Sequence, residues 1–365
     1  MTRSSSARAR GPIVHIVGAR PNFMKLAPVH AALAGRCHQQ VLHTGQHYDR
    51  RMSDGFFETL GIPDPDHNLR IGSGSHAQQT AAAMLGIEQV CMDIAPACLV
   101  VYGDVNSTVA AALVAAKLGI PCHHVEAGLR SRDRTMPEEV NRLVTDQLSD
   151  LLFIHSREAV GNLAAEGIGG ERVHFVGNVM IDTLVRMLPV ARASAIDVPQ
   201  DGYALVTLHR PSNVDDGDRL RMLYGYLERL SERIPVVFPV HPRTRAKLEQ
   251  LGLGTPRPTM HLLEPQDYAP FLALQDRARF VVTDSGGIQE ETTYLGTPCL
   301  TLRASTERPV TVEVGSNTLV GEDPAAMDPH IDDILAGRYK TGAVPELWDG
   351  RAGSRIADVL ASWLG

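Results

Sequence analysis

Carboxylates, cations and an imidazole stand at the ends of short apolar runs, where they could move protons on a phosphorylated ligand. Asp284-Ser285-Gly286-Gly287-Ile288-Gln289-Glu290-Glu291 directly follows Phe280-Val281-Val282-Thr283. A strand that turns tightly into a helix leaves the first helical N–H groups unpaired, and two glycines would let a phosphate reach them. Asp284 or Ser285 could instead serve only as a helix cap. Gly18-Ala19-Arg20-Pro21-Asn22-Phe23-Met24-Lys25 sets two cations a turn apart, either gripping an oxyanion or standing as solvated charges. Gly103-Asp104-Val105-Asn106-Ser107 and Glu126-Ala127-Gly128-Leu129-Arg130 each put a carboxylate near a glycine. Burial of such a group raises its pKa toward neutrality, where it can trade protons, although Asp104 could also be an N-cap. Pro137-Glu138-Glu139 opens a helix, and first-turn acids also complement the helix dipole without any chemistry. His209-Arg210 pairs an imidazole with a guanidinium at another strand end.

These groups need a scaffold that gathers strand ends. Short β-branched runs alternate with helical patterns along the chain, which predicts an α/β fold with parallel sheets. The first series is Ile13-Val14-His15-Ile16-Val17, Gln40-Val41-Leu42-His43, Cys98-Leu99-Val100-Val101-Tyr102, Pro121-Cys122-His123-His124-Val125, Leu151-Leu152-Phe153-Ile154 and Val173-His174-Phe175-Val176. A helical segment near Met180 to Met187 then runs into Pro189, and the stretch through Ser194, Pro199 and Gly202 reads as a linker. The second series is Ala204-Leu205-Val206-Thr207-Leu208, Pro235-Val236-Val237-Phe238-Pro239-Val240, His261-Leu262-Leu263, Phe280-Val281-Val282 and Cys299-Leu300-Thr301-Leu302. The division predicts a disordered tail over 1–10, Rossmann-like domains over 11–178 and 202–349, and a connecting helix and linker over 179–201. Ligands of such sheets sit beyond the carboxyl ends of the strands, so the cleft between two facing domains is the expected active site.

A formal charge of -7 argues against broad nucleic-acid binding while leaving room for a local basic pocket. Five scattered cysteines without CxxC spacing disfavour a zinc site or a disulfide framework and fit a reduced, cytoplasmic compartment. No apolar run approaches the roughly 20 residues that span a bilayer, so no membrane association is expected. The chain has no GxGxxG fingerprint to support a bound nicotinamide, and neither a metal nor another cofactor is expected.

Taken in order, GARPNFMK (Gly18 to Lys25), GDVNST (Gly103 to Thr108), HVEAGLRS (His124 to Ser131), PEEVNR (Pro137 to Arg142), GN (Gly177, Asn178), TLHR (Thr207 to Arg210), PQDYAPF (Pro265 to Phe271), DSGGIQEE (Asp284 to Glu291) and TERP (Thr306 to Pro309) carry a family likeness. The set resembles the non-hydrolysing UDP-N-acetylglucosamine 2-epimerases from about Ile13 to Gly321. The resemblance implies a GT-B fold, two Rossmann-like domains with a helix at 350–365 returning to the first, a homodimer, and a role in cell-surface polysaccharide biosynthesis. It also implies that UDP is eliminated to leave 2-acetamidoglucal and then added back, giving the manno epimer without metal or nicotinamide.

Residue by residue, the resemblance places Arg20, Lys25, His209, Ser285, Gly286 and Gly287 near the diphosphate and Glu291 at the ribose. Gln266 and Phe271 frame the uracil, and Arg303 falls on a nucleotide-contact position. Asp104, Glu126 and Glu138 match the acid/base carboxylates, with His209 counted among the catalytic groups. Gln46, Arg70 and His241 match part of a site for a second, activating UDP-sugar. Asn22 and the stretch Pro211-Ser212 depart from many members, and the GARP-plus-amide version at Gly18 to Asn22 resembles the branch acting on UDP-2,3-diacetamido-2,3-dideoxyglucuronic acid. Three other functions fit less well: a GT-B glycosyltransferase, a hydrolysing epimerase and a non-catalytic UDP-sugar binder.

Overall fold

The computed structural model describes residues 11–45 and 60–365, and the chain divides into two units. One unit runs to Thr183 and resumes at Glu346–Gly365; the other is Leu184–Pro345. The first contains β1 (Ile13–Val17), β2 (Gln39–His43), β3 (His67–Asn68), β4 (Cys98–Tyr102), β5 (Cys122–Val125), β6 (Leu151–Ile154) and β7 (Val173–Phe175), in spatial order 3-2-1-4-5-6-7. The second contains β8 (Ala204–Thr207), β9 (Val236–Pro239), β10 (Met260–Leu263), β11 (Phe280–Thr283), β12 (Cys299–Thr301) and β13 (Asn317–Leu319), in order 10-9-8-11-12-13. Every neighbouring pair is parallel. The fold is therefore α/β with two Rossmann-like parallel sheets.

Strands β1, β4, β5, β6 and β11 are buried along their whole length. Continuous burial explains why they read as unbroken apolar runs rather than alternating ones, since helices cover both sheet faces. The short strands β3 and β13 escaped the sequence reading because His-Asn and Asn-Thr-Leu carry almost no apolar signal. In the first core, Val14, Ile16, Leu99 and Val101 meet Ala110, Ala111 and Ala115 of the helix Asn106–Leu118, whose small residues permit close approach to the sheet. In the second, Val206, Val236, Phe238 and Val282 pack with Leu223 and Leu227 of the helix Gly217–Leu230. Each fully buried side chain of this size stabilises by about 1.5–3 kcal/mol.

Strand order reverses between β1 and β4 in one sheet and between β8 and β11 in the other. At such a reversal the two following loops turn to opposite faces and leave a crevice beyond the strand ends. The loops that open there begin at Gly18 and Gly103 in the first unit and at Leu208 and Asp284 in the second.

The helix Val179–Ala193 corrects one expectation, because it runs through Pro189 instead of stopping there. Pro189 is exposed, so the missing N–H and the ring clash fall on the solvent side, where a helix can bend. Near its start, Asp182 accepts hydrogen bonds from Ala352 N at 3.0 Å and Gly353 N at 2.7 Å, capping the C-terminal helix Ala352–Leu364. That helix packs on the helix Arg20–Leu33 at Gly353, where a Cβ would come within 2.7 Å of the Pro28 backbone. Among the described residues no helix is long and apolar enough to cross a membrane.

Candidate active site

In the first unit the site is built around the left-handed turn at Gly103, whose φ is +64°. A Cβ there would lie 2.7 Å from Lys25 Nζ and 3.4 Å from Glu126 Oε2, so glycine lets a buried ion pair press against the backbone. Lys25 and Glu126 form that pair. Glu126 itself has φ of +74°, a strained conformation for a residue with a side chain. It is held there because Glu126 N and Ala127 N both donate to Phe153 O, at 3.0 and 3.1 Å. Lys25 is positioned by its helix, and Asn22 ties that helix start to the strand ends. The Asn22 Oδ1 accepts from Gly18 N and Ala19 N, while Nδ2 donates to Tyr102 O at 2.8 Å.

Asp104 does not cap the helix Asn106–Leu118, whose N-cap is Val105. Its carboxylate instead receives Arg142 Nε at 3.0 Å and Arg142 Nη2 at 2.5 Å, both on Oδ2. The neighbouring acids Glu138 and Glu139 separate into different tasks. Glu139 is buried and accepts from Ser131 N, Ser131 Oγ, Arg132 N and Arg142 Nη1. Burial pushes its pKa up, but the Ser131 and Arg132 amides and the Arg142 guanidinium outweigh that and hold it below the usual range. Glu138 is half-buried, and among the described residues no hydrogen bond or ion pair engages its carboxylate.

Behind this face, His124 bridges Asp146 Oδ1 at 2.6 Å and Gly103 O at 2.8 Å. Asp146 also accepts Gly128 N at 3.0 Å and pairs with Arg130 Nη2 at 2.7 Å. Burial raises the Asp146 pKa, yet His124 and Arg130 win and lower it overall. Arg142 and the His124–Asp146–Arg130 network carried no role in the sequence, where Glu139 stood only as a first-turn acid and Asn22 only as a departure from the family motif. Their motifs were visible, but which side chain meets which carboxylate depends on packing between β5 and the helix Pro137–Leu148.

In the second unit, Ser285 occupies the N-cap of the helix Gly286–Leu295 without a side-chain capping bond. A Cβ on Gly287 would meet nothing within 4 Å, so the helix is uncrowded at that position. Asp284 orients the loop after β8: it accepts from His209 N at 3.1 Å, Arg210 N at 3.0 Å, Asn213 Nδ2 at 3.0 Å and His209 Nδ1 at 2.9 Å. Full burial pushes its pKa up, but the His209 imidazole and the other donors reverse the shift and keep it lowered. Because an ionised carboxylate only accepts, His209 Nδ1 donates, and the exposed ring turns Nε2 away from Asp284.

The resemblance placed Arg303 at the nucleotide, and the structure commits its guanidinium to Glu307 at 2.7 Å. Arg308 lies against the first turn of the helix Gly286–Leu295: a Cβ on Gly286 would lie 2.5 Å from Arg308 Nη1 and 2.8 Å from Glu307 Oε1, and the guanidinium pairs with Glu307 and with Glu290 Oε1 at 2.8 Å. Arg308 lies in the TERP motif, so a sequence signal for it existed. Glu291 is buried, accepts from Tyr268 Oη at 2.9 Å and Gln275 Nε2 at 2.5 Å, and is pushed up by burial to about 7. Phe271 packs against a core cluster containing Leu205, Leu274 and Ile288, and Gln266 Nε2 donates to Glu264 O at 2.7 Å.

Of the expected activator residues, Arg70 is exposed with φ of +51° in the first unit, His241 is exposed in the second, and Gln46 lies outside the described residues.

The profile of the family described as UDP-N-acetylglucosamine 2-epimerase matches residues 31–361. The UDP-N-acetylglucosamine 2-epimerase of Methanococcus maripaludis is 42% identical over 358 residues, covering 94% of this chain and 97% of that protein. The UDP-2,3-diacetamido-2,3-dideoxy-D-glucuronate 2-epimerase of Pseudomonas aeruginosa is 42% identical over 356 residues, covering 96% and 99%. The crystal structure of Methanocaldococcus jannaschii UDP-GlcNAc 2-epimerase in complex with UDP-GlcNAc and UDP superposes with a TM-score of 0.87 at 38% identity, covering 96% of this chain and 99% of that one.

Proposed function

The chain belongs to the UDP-N-acetylglucosamine 2-epimerase family, and from that premise we propose that it reversibly interconverts UDP-GlcNAc and UDP-ManNAc. One observation carries the reading: both sheets place their chemistry-bearing residues where the strand order reverses, with carboxylates at one reversal and a helix N-terminus at the other. The C2 hydrogen of the sugar is too weakly acidic for direct removal. The anomeric C–O bond therefore breaks first, and its electron pair leaves with UDP. The amides of Gly286 and Gly287, with His209 and Arg308, are assigned to the diphosphate because fixed donors in a water-poor site stabilise developing negative charge. A carboxylate of the set Asp104, Glu126 and Glu138 then takes the C2 proton, giving 2-acetamidoglucal. Return of a proton to the opposite face of C2 and attack of UDP at C1 complete the epimerisation.

Pure protein mixed with UDP-GlcNAc should give UDP-ManNAc by NMR, without acceptor and without release of free N-acetylmannosamine. The Pseudomonas aeruginosa relative supports a second substrate, UDP-2,3-diacetamido-2,3-dideoxyglucuronate, to be assayed alongside. We assign the protein to the cytoplasm as a homodimer supplying cell-surface polysaccharide precursors, with sedimentation as the check on assembly.

UDP alone should stabilise the fold, because most assigned contacts address the nucleotide. At ~100 times its dissociation constant it adds about 2.7 kcal/mol, read as a raised melting temperature. Arg308→Ala should shrink that shift, and a melting curve unmoved by saturating UDP would defeat the assignment of the second unit.

Glu291 gives a pH signature. With the ribose hydroxyls donating to it, binding favours the ionised form, so below a folded pKa of about 7 binding must release a proton. UDP affinity should fall by up to about tenfold per pH unit below that value and level off above it. The stability contribution has the opposite sense, because the folded chain holds this proton where the unfolded chain has lost it. It is fully present below the unfolded value of 4.5 and is lost as pH rises through about 7. Titration of UDP binding in wild type and Glu291→Gln is the check, since the variant should lose the pH slope.

A further inference from the structure

We propose that Arg142 is a positioning residue for Asp104, holding its carboxylate in one orientation at the end of β4. The inference rests on the epimerase reading and adds a residue that acts through Asp104. Arg142 is only 3% exposed, and its Nε and Nη2 both reach Asp104 Oδ2. Its remaining arm, Nη1, meets Glu139 Oε2 at 2.7 Å. Glu139 is itself fixed by Ser131 N at 2.9 Å, Ser131 Oγ at 3.0 Å and Arg132 N at 2.9 Å. The guanidinium is thus aimed from behind by a carboxylate that backbone amides hold in place.

The same helix also fixes the main chain of Asp104, because Asn141 Nδ2 donates to Asp104 O at 2.9 Å. Glu138 and Arg142 stand four residues apart on that helix, hence on one face, so the element that presents Glu138 also sets Asp104. The Asp104 side chain is 26% exposed while that of Arg142 is 3% exposed, so Asp104 is the member of the pair nearer the surface. A planar fork constrains both position and rotation, and a lysine supplies only a point charge. A misplacement of about 1 Å at a reacting group can cost about 100-fold in rate.

The test uses the full chain, with UDP-GlcNAc turnover followed by NMR for wild type, Asp104→Asn, Arg142→Lys, Arg142→Gln and the double variant Asp104→Asn with Arg142→Gln. Both arginine variants should lose about 100-fold in kcat with KM little changed, and added guanidinium should restore part of the Arg142→Gln loss. In the Asp104→Asn background the arginine change should cost nothing further. Arg142→Lys keeps a charge beside Glu139 and remains measurable if Arg142→Gln does not fold, which thermal melting reports. Arginine variants at the wild-type rate, or a full further loss in the Asp104→Asn background, would overturn the positioning role alone. Asp104→Asn at the wild-type rate would overturn the placement of Asp104 and the role with it. Wild-type protein without epimerase activity would overturn the functional reading first.

Discussion

Glu126→Gln is expected to lower turnover by about 100- to 10,000-fold while UDP still binds. The substitution keeps the shape of the side chain and removes its ionisation, so it tests proton transfer rather than packing. Glu126 is a strong candidate because three features meet on it: burial, a pair with Lys25 and a backbone held at φ of +74°. Strain of this kind persists only where surrounding structure enforces it, here through the two amides bonded to Phe153 O. Removing one charge from a buried pair also leaves the other uncompensated, at a cost of about 3–5 kcal/mol in stability. Turnover must therefore be expressed per folded molecule, with the UDP-induced shift in melting temperature reporting the nucleotide site. Glu138→Gln should show a similar rate loss with little change in stability, since no partner among the described residues depends on it. A Glu138→Gln protein with wild-type turnover and a lowered melting temperature would return Glu138 to the role of a first-turn acid.

The second large effect is isotopic. Epimerisation of UDP-GlcNAc in D2O should yield UDP-ManNAc carrying deuterium at C2, because a carboxylic acid exchanges its proton with solvent before returning it to the opposite face. On prolonged incubation traces of UDP and the glycal should accumulate, since only non-covalent contacts retain the intermediate. Efficient epimerisation with hydrogen fully retained at C2 would sink the exchange scheme and indicate oxidation at a neighbouring carbon or a shielded internal return. NMR of the C2 position distinguishes these outcomes directly.

The two predictions draw on different parts of what was legible in the chain. The sheets were readable because buried parallel strands are continuous apolar runs, and β1, β4, β5, β6 and β11 are all of that kind. Strands β3 and β13 were not readable, being short and polar. Gly103 and Gly286 announced themselves by type, and the structure supplies the reason: an added Cβ would strike Lys25 at one and Arg308 at the other.

Partners were harder to read than positions. From sequence, Glu138 and Glu139 are equivalent first-turn acids, and Arg303 and Arg308 are two guanidiniums five residues apart. Tertiary structure separates the two acids by turning Glu139 onto the Ser131 and Arg132 amides, and it brings both guanidiniums to Glu307, with Arg308 alone reaching Glu290 as well. It also makes Asp284 an anchor for His209, Arg210 and Asn213, contacts that link positions more than 70 residues apart. The sequence by itself determined the strand series, the glycines at the turns and which residue types stand at the strand ends, because those follow from local periodicity and backbone conformation. The pairing of charges, the strain at Glu126 and the raised pKa of Glu291 were decided only when distant segments packed together, because burial and Coulomb interaction depend on neighbours in space.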